Sequence, residues 1–143
     1  MSETTLTTIE QTVRIDASPD TVWRLWTDPE LLTTWLAHKV EVVAEPGGRF
    51  RAELSEGPVF SAEFIELDRP SRLVFTFGWE GNEPGTPLAP GSTRVEVTLV
   101  PDDGGTLLTL RHFDVPESHA ADHRQGWNHF LVDELARVAP TTA

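Results

Sequence analysis

The chain has 143 residues, no cysteine, and 23 Asp and Glu against 11 Lys and Arg, giving a formal net charge of −12. This length predicts one domain over 1–143, with an ordered core at about 8–138. The lack of cysteine excludes disulfides and thiolate metal sites and fits a reducing compartment. The acidic balance argues against nucleic acid and anionic membranes, which both need clustered Lys and Arg.

No apolar run approaches the roughly 20 residues that span a bilayer, so we expect a cytoplasmic protein without a membrane partner. The pairs Gly47-Gly48 and Gly104-Gly105 lie in predicted turns. Neither pair opens a helix after a strand, as a phosphate-binding loop would. The sequence therefore predicts no cofactor.

The first predicted elements are a strand and two short helices. Residues 8–15 alternate apolar and polar, with Ile9, Val13 and Ile15 on one face, which predicts a half-buried strand. Ser18-Pro19 and Asp28-Pro29 each combine a capping residue with proline at the first helical position. Each pair predicts the start of a short helix.

After Lys39 the apolar residues recur every second position, which predicts six more strands. Their predicted ranges are 39–44, 49–54, 59–67, 72–79, 93–100 and 106–112. Residues 80–91 hold three Gly and three Pro without periodicity, which predicts a long mobile loop. From Ser118 to Val138 the pattern predicts one helix with an apolar stripe of Trp127, Phe130, Leu131, Leu135 and Val138.

This order of elements predicts an α+β fold. A seven-stranded curved antiparallel sheet would wrap around the long C-terminal helix, because the apolar stripe of that helix must be buried. The two short helices would follow the first strand.

Five segments, in order along most of the chain, resemble the START-like helix-grip superfamily. Within it they resemble the C-terminal domain of the heat-shock-protein-90 ATPase activator homologues. The segments are VWRLWTDPELLTTW at 22–35, GGRF at 47–50, ELDRPSRLVFTF at 66–77, TLLTLRH at 106–112 and Gly126-Trp127.

The resemblance implies a cavity between sheet and C-terminal helix. Helix-grip proteins bind lipids, hormones, flavonoids or polyketides, and some are cyclases or dehydratases. A homodimer is plausible for this superfamily. Fold alone does not decide among these activities, since one fold hosts many functions.

Five Trp and seven Phe form the most distinctive feature of the composition. Strand alternation brings several of them to the face that the C-terminal helix covers. These rings would either line a ligand cavity or fill a solid core. The candidate lining residues are Trp35, Phe50, Phe75, Phe77, Trp79, His112, Trp127 and Leu131.

Two polar residues are candidates for catalysis. His112 shares a face with Leu108 and Leu110, so it would act on a ligand or serve as a structural histidine at a strand end. Glu134 lies at the margin of the helix stripe, where it would act as a base or reach water. The pair His119 and His123 has i, i+4 spacing but no third ligand, so we predict no metal site.

Three functions follow from these readings. The leading one is a binding module for a small hydrophobic molecule. The second is an enzyme of cyclase or hydrolase type, which needs His112 and Glu134 together inside the cavity. The third is a stress-response or co-chaperone-like interaction protein, which needs an exposed apolar patch.

Overall fold

The structure is a computed structural model that describes residues 5–54, 57–83, 86 and 88–142. Its strands are β1 (Leu6–Ile15), β2 (Lys39–Val42), β3 (Arg49–Glu53), β4 (Val59–Asp68), β5 (Arg72–Trp79), β6 (Thr93–Asp102) and β7 (Gly105–Pro116). Two short helices, α1 (Pro19–Thr27) and α2 (Pro29–Leu32), follow β1.

The seven strands form one antiparallel sheet in the order β1-β7-β6-β5-β4-β3-β2. The first strand pairs with the last, so the strands that are distant in sequence lie side by side. The predicted α+β fold, with its long C-terminal helix, is confirmed. The predicted strand ends differ most at β7, which runs to Pro116 and not to 112.

Both predicted helix caps are present. Ser18 Oγ accepts a hydrogen bond from the Thr21 N–H at 3.2 Å, and Asp28 Oδ1 accepts one from the Glu30 N–H at 2.9 Å. Each cap satisfies a backbone donor that the first helical turn leaves unpaired. Proline occupies the first helical position in both helices.

The junction of the two helices leaves one carbonyl without its ordinary partner. Helical pairing would join Leu25 O to the N–H of residue 29, but residue 29 is Pro29 and has no N–H. The indole Nε1–H of Trp35 donates to Leu25 O at 2.7 Å and replaces that bond. Trp35 therefore supplies the hydrogen-bond donor that Pro29 lacks at the junction of α1 and α2.

The C-terminal helix consists of α3 (Glu117–Asn128), a π-helical segment (His129–Leu135), α4 (Ala136–Val138) and a 3₁₀ turn (Ala139–Thr141). Its buried stripe is Trp127, Leu131, Leu135 and Ala139, one residue in every four. An α-helix has 3.6 residues per turn, so a four-residue repeat would drift around it. Each π hydrogen bond spans one residue more, and the wider turn keeps the stripe facing the sheet.

The predicted stripe ended at Val138, which the structure leaves half-buried, while Ala139 is buried. We attribute this difference to the π segment, because its wider turns take more residues than α-helical turns and so shift the next buried position from Val138 to Ala139. Among the residues described, no helix is both long and apolar enough to cross a bilayer.

The loop predicted over 80–91 packs against the end of β5 where the structure describes it. Leu88 and Ala89 are buried, and Leu88 O accepts a hydrogen bond from the Trp79 N–H at 2.7 Å. A Cβ at Gly78 would strike the backbone of Ala89, so only glycine permits this approach. Leu88 and Ala89 are therefore packed against β5, and positions 84, 85 and 87 of the predicted loop lie outside the described residues.

The outer face of the sheet carries a ladder of alternating charges across five strands. Arg72 pairs with Glu66 and, at 3.0 Å, with Glu96; Arg111 pairs with Glu96 at 3.6 Å and with Glu10 at 2.7 Å. Exposed pairs of this kind stabilise by about 0.2–1 kcal/mol each. The ladder confirms that polar residues alternate outward, as the period-two pattern predicts.

Trp35 and Trp26 provide a matched test of the bond to Leu25 O. Both side chains are buried and their rings touch, with centroids 4.8 Å apart, but Trp26 Nε1 has no hydrogen-bond partner among the described residues. We expect Trp35→Phe to lower the free energy of unfolding by about 1–3 kcal/mol more than Trp26→Phe, because only Trp35→Phe orphans a buried carbonyl. Urea unfolding of the two variants measures this difference, and an equal loss would contradict it.

Candidate functional site

A cavity of about 260 Å³ lies between the inner face of the sheet and the C-terminal helix. β4 and β5 supply aromatic rings from one side, and α3 and the π segment close the other. Apolar side chains and the edges of rings make up most of the wall. The lining residues are Leu36, Leu54, Phe60, Phe77, Trp79, Asp122, His123, Gly126, Trp127 and Phe130.

The structure brings three of the predicted lining residues, Phe77, Trp79 and Trp127, to this wall. Phe77 lies between the two indoles, with ring centroids 5.3 Å from Trp79 and 5.9 Å from Trp127. These three adjacent rings form a continuous part of the cavity wall.

The other five predicted lining residues, Trp35, Phe50, Phe75, His112 and Leu131, are buried outside the lining. Phe50 explains why. Its ring lies 5.2 Å from Phe75 and 5.4 Å from Phe64, so these rings fill the sheet face beside the cavity. These five residues therefore do not line this cavity: part of the shared face is solid core and part is hollow.

The sequence analysis did not predict seven of the residues that line the cavity: Leu36, Leu54, Phe60, Asp122, His123, Gly126 and Phe130. Two signals were available. Phe60 pairs with Trp79 across β4 and β5, and a hairpin register would have found it. Phe130 belongs to the predicted helix stripe. Leu54 ends the predicted strand 49–54 on the same face as Phe50, so alternation was a further signal for it, whereas Leu36 lies in the turn after α2, where periodicity gives no face.

His112 is held by hydrogen bonds at both ring nitrogens. Trp127 Nε1–H donates to His112 Nδ1 at 3.1 Å, because an indole nitrogen can only donate. His112 Nε2 lies 2.8 Å from Thr93 Oγ1, which in turn donates to Phe77 O at 2.7 Å. Nδ1 must therefore be the acceptor, and the ring proton lies on Nε2.

His123 forms a second bond of the same type at the cavity wall. Trp79 Nε1–H donates to His123 Nε2 at 3.0 Å, and His123 Nδ1 donates to the backbone carbonyl of His119 at 2.9 Å. His123 is thus the opposite tautomer, with its proton on Nδ1. The bond ties the end of β5 to α3.

Both imidazoles are neutral at pH 7. Burial, together with the nearby His123, lowers the pKa of His112 to about 3. Burial also lowers the pKa of His123. The indole N–H groups of Trp79 and Trp127 both donate to imidazoles, so neither is available to hydrogen-bond a ligand in the cavity.

The catalytic pair His112 and Glu134 is not formed. Glu134 is partly exposed and pairs with Arg137 at 2.9 Å, while both nitrogens of His112 bond elsewhere. Glu134 lies at the stripe margin with its side chain partly exposed, as in the second of the two readings of its position. Within the described ranges, no three His, Asp or Glu side chains gather as a metal site would require.

Residues 16–139 match the sequence family described as Activator of Hsp90 ATPase homolog 1-like protein. The match covers most of the chain, including every element that lines the cavity. The chain belongs to this family. The predicted resemblance is thereby confirmed. A search of curated proteins finds no significant match.

Three solved structures place the chain within this fold. The AHSA1-like protein RHE_CH02687 from Rhizobium etli is 33% identical with a TM-score of 0.76, covering 99% of this chain and 88% of that one. Protein MLL2253 from Mesorhizobium loti is 23% identical with a TM-score of 0.82, covering 96% and 99%. The Aha1 dimer from Colwellia psychrerythraea is 19% identical with a TM-score of 0.77, covering 94% and 96%.

The tautomer of His112 can be tested by NMR. We expect long-range proton–nitrogen spectra to show Nδ1 unprotonated and Nε2 protonated down to about pH 4, since the pKa of His112 is lowered to about 3. The unfolded chain takes up this proton near pH 6.5, so the free energy of unfolding should fall as the pH drops from about 6.5 towards 3. A folded-state titration of His112 near pH 6.5 would contradict the arrangement.

Proposed function

We propose that this protein is a binding module for a small, uncharged molecule with an apolar ring system, held in the cavity. The proposal rests on one observation: an apolar cavity of about 260 Å³ whose two neighbouring indole N–H groups are already bonded to His112 and His123. A ligand there gains mainly from burial of apolar surface, and few polar groups orient it.

The volume supports a ligand of about two fused rings. An apolar cavity of about 150 Å³ in a protein core accepts benzene. A cavity of 260 Å³ has room for a second ring but not for a sterol or a long acyl chain. Phe60, Phe77, Trp79 and Trp127 offer the faces and edges on which such rings pack.

Charge supports an uncharged ligand over an anion. Among the described residues, the lining contains no Lys or Arg, and its one carboxylate is that of Asp122. An anion entering here would lose its hydration without gaining a cation, and it would approach a chain of net charge −12.

The two rival functions have less support. The predicted enzyme of cyclase or hydrolase type needs His112 and Glu134 together in the cavity, but both nitrogens of His112 are already bonded and Glu134 pairs with Arg137. A co-chaperone-like interaction needs an exposed apolar patch. On the outer face of the sheet Val100 and Leu107 lie opposite each other and are 53% and 37% exposed, which is a small area for that purpose.

We also propose a cytoplasmic location and a homodimer. The lack of cysteine supports the location, because it fits a reducing compartment. The Aha1 dimer from Colwellia psychrerythraea, which shares the fold, supports the dimer. Sedimentation at micromolar concentration should give about twice the monomer mass of 15.9 kDa, and a monomer throughout would refute the dimer.

Calorimetry with naphthalene tests the binding function. We expect saturable binding with one site, and Phe130→Ala should weaken it about three- to tenfold by removing one aromatic wall. Val132→Ala is the matched control, because Val132 is exposed on the same helix and lies outside the cavity lining.

Naphthalene-2-sulfonate, with the same rings and a negative charge, should bind at least about tenfold more weakly than naphthalene. Equal binding of both compounds would argue against an uncharged ligand. The absence of saturable naphthalene binding to the wild-type protein would overturn the proposed function.

A further inference from the structure

Gly126 lies within α3, where the backbone conformation does not require glycine. It is two residues from the end of α3, and its φ is not in the left-handed region that favours glycine. Apart from proline, glycine is the poorest helix former, so a glycine inside a helix destabilises it relative to alanine. The position calls for another explanation.

Packing within the protein does not supply one. Apart from its two chain neighbours and the backbone of its own helix, a Cβ built on Gly126 would meet no atom within 4 Å. At Gly78 and Gly105, by contrast, a Cβ would strike the backbone of Ala89 or of Ile15. The chain therefore excludes side chains at Gly78 and Gly105, but it leaves open space at Gly126.

The open space lies between two hollows. Gly126 and Asp122 line the apolar cavity, and the same two residues line a groove on the outside of the helix. The other residues of this outer groove are Gln125, Asn128, His129 and Asp133. Its wall mixes polar and apolar surface, whereas the cavity wall is almost wholly apolar, and Gly126 lies at the boundary between them.

We propose that Gly126 is the sill over which part of a ligand passes from the cavity to the outer groove. This inference rests on the proposed binding function and makes it more specific. The ligand is an apolar ring system that carries a polar, non-anionic substituent. The rings occupy the cavity, and the substituent crosses Gly126 to reach the hydrogen-bonding side chains of the groove.

A second role for Gly126 must be separated from this one. The His129 N–H, at the start of the π segment, bonds to the carbonyls of Gln125 and Gly126. If glycine were needed for this change of helix type, alanine would lower the melting temperature whether or not a ligand is present. If Gly126 is a sill, alanine should raise it, by about 3 °C, through its better helix propensity.

Two uncharged probes with the same rings test the sill. Naphthalene fits inside the cavity, while 2-naphthyl tri(ethylene glycol) ether needs an exit for its tail. We expect Gly126→Leu to weaken binding of both probes, because Gly126 also lines the cavity, but to weaken binding of the tailed probe at least about tenfold more than binding of naphthalene, because only the tail must cross this position. Gly126→Ala should show the same order with smaller losses, and Val132→Ala should change neither affinity.

The outcomes separate the two proposals. If the wild-type protein binds neither probe, the proposed function fails. If it binds both probes and Gly126→Leu weakens them equally or not at all, only the sill is overturned. A lower melting temperature for Gly126→Ala, with equal loss of both probes, also overturns the sill in favour of the helix-register role.

Discussion

A chain of buried hydrogen bonds through His112 holds the helix and the sheet in register. It runs from the indole of Trp127 on α3 to His112 on β7, on to Thr93 on β6, and ends at the carbonyl of Phe77 on β5. These directional hydrogen bonds thus join four elements: α3, β7, β6 and β5. Because a buried polar group left unpaired is costly, this chain also fixes the position of the helix over the sheet.

The cavity exists because the two halves of the sheet face are packed differently. Beside β3, the ring of Phe50 stacks on that of Phe64, and Phe75 meets both rings edge-on, so these three rings pack against one another. Beside the end of β5, the bonds from Trp79 to His123 and from Trp127 to His112 tie both indoles to imidazoles and limit their freedom to collapse inward. The solid half supplies stability by burial, and the tied half preserves a hollow that closer packing would remove.

Local rules predicted the fold well, because each element carries its own signal. Alternation located the seven strands, and Ser18 and Asp28 marked both short helices. The same rules located the site only in part. Period-two parity assigns Phe75 and Phe77 to one face, but it does not show that Phe75 lies in the solid core while Phe77 borders the cavity. That distinction depends on neighbouring strands, which no local pattern encodes.

The π segment links the helix sequence to the shape of the site. A straight α-helix would rotate the four-residue stripe of Trp127, Leu131, Leu135 and Ala139 away from the sheet, so one end of it would lose contact. The wider turn begins at His129, directly after the turn that presents Gly126 to the cavity. Burial of the stripe downstream therefore determines which side of α3 faces the hollow. Two separate demands, a continuous apolar stripe and an open sill, are met by one change in helix geometry.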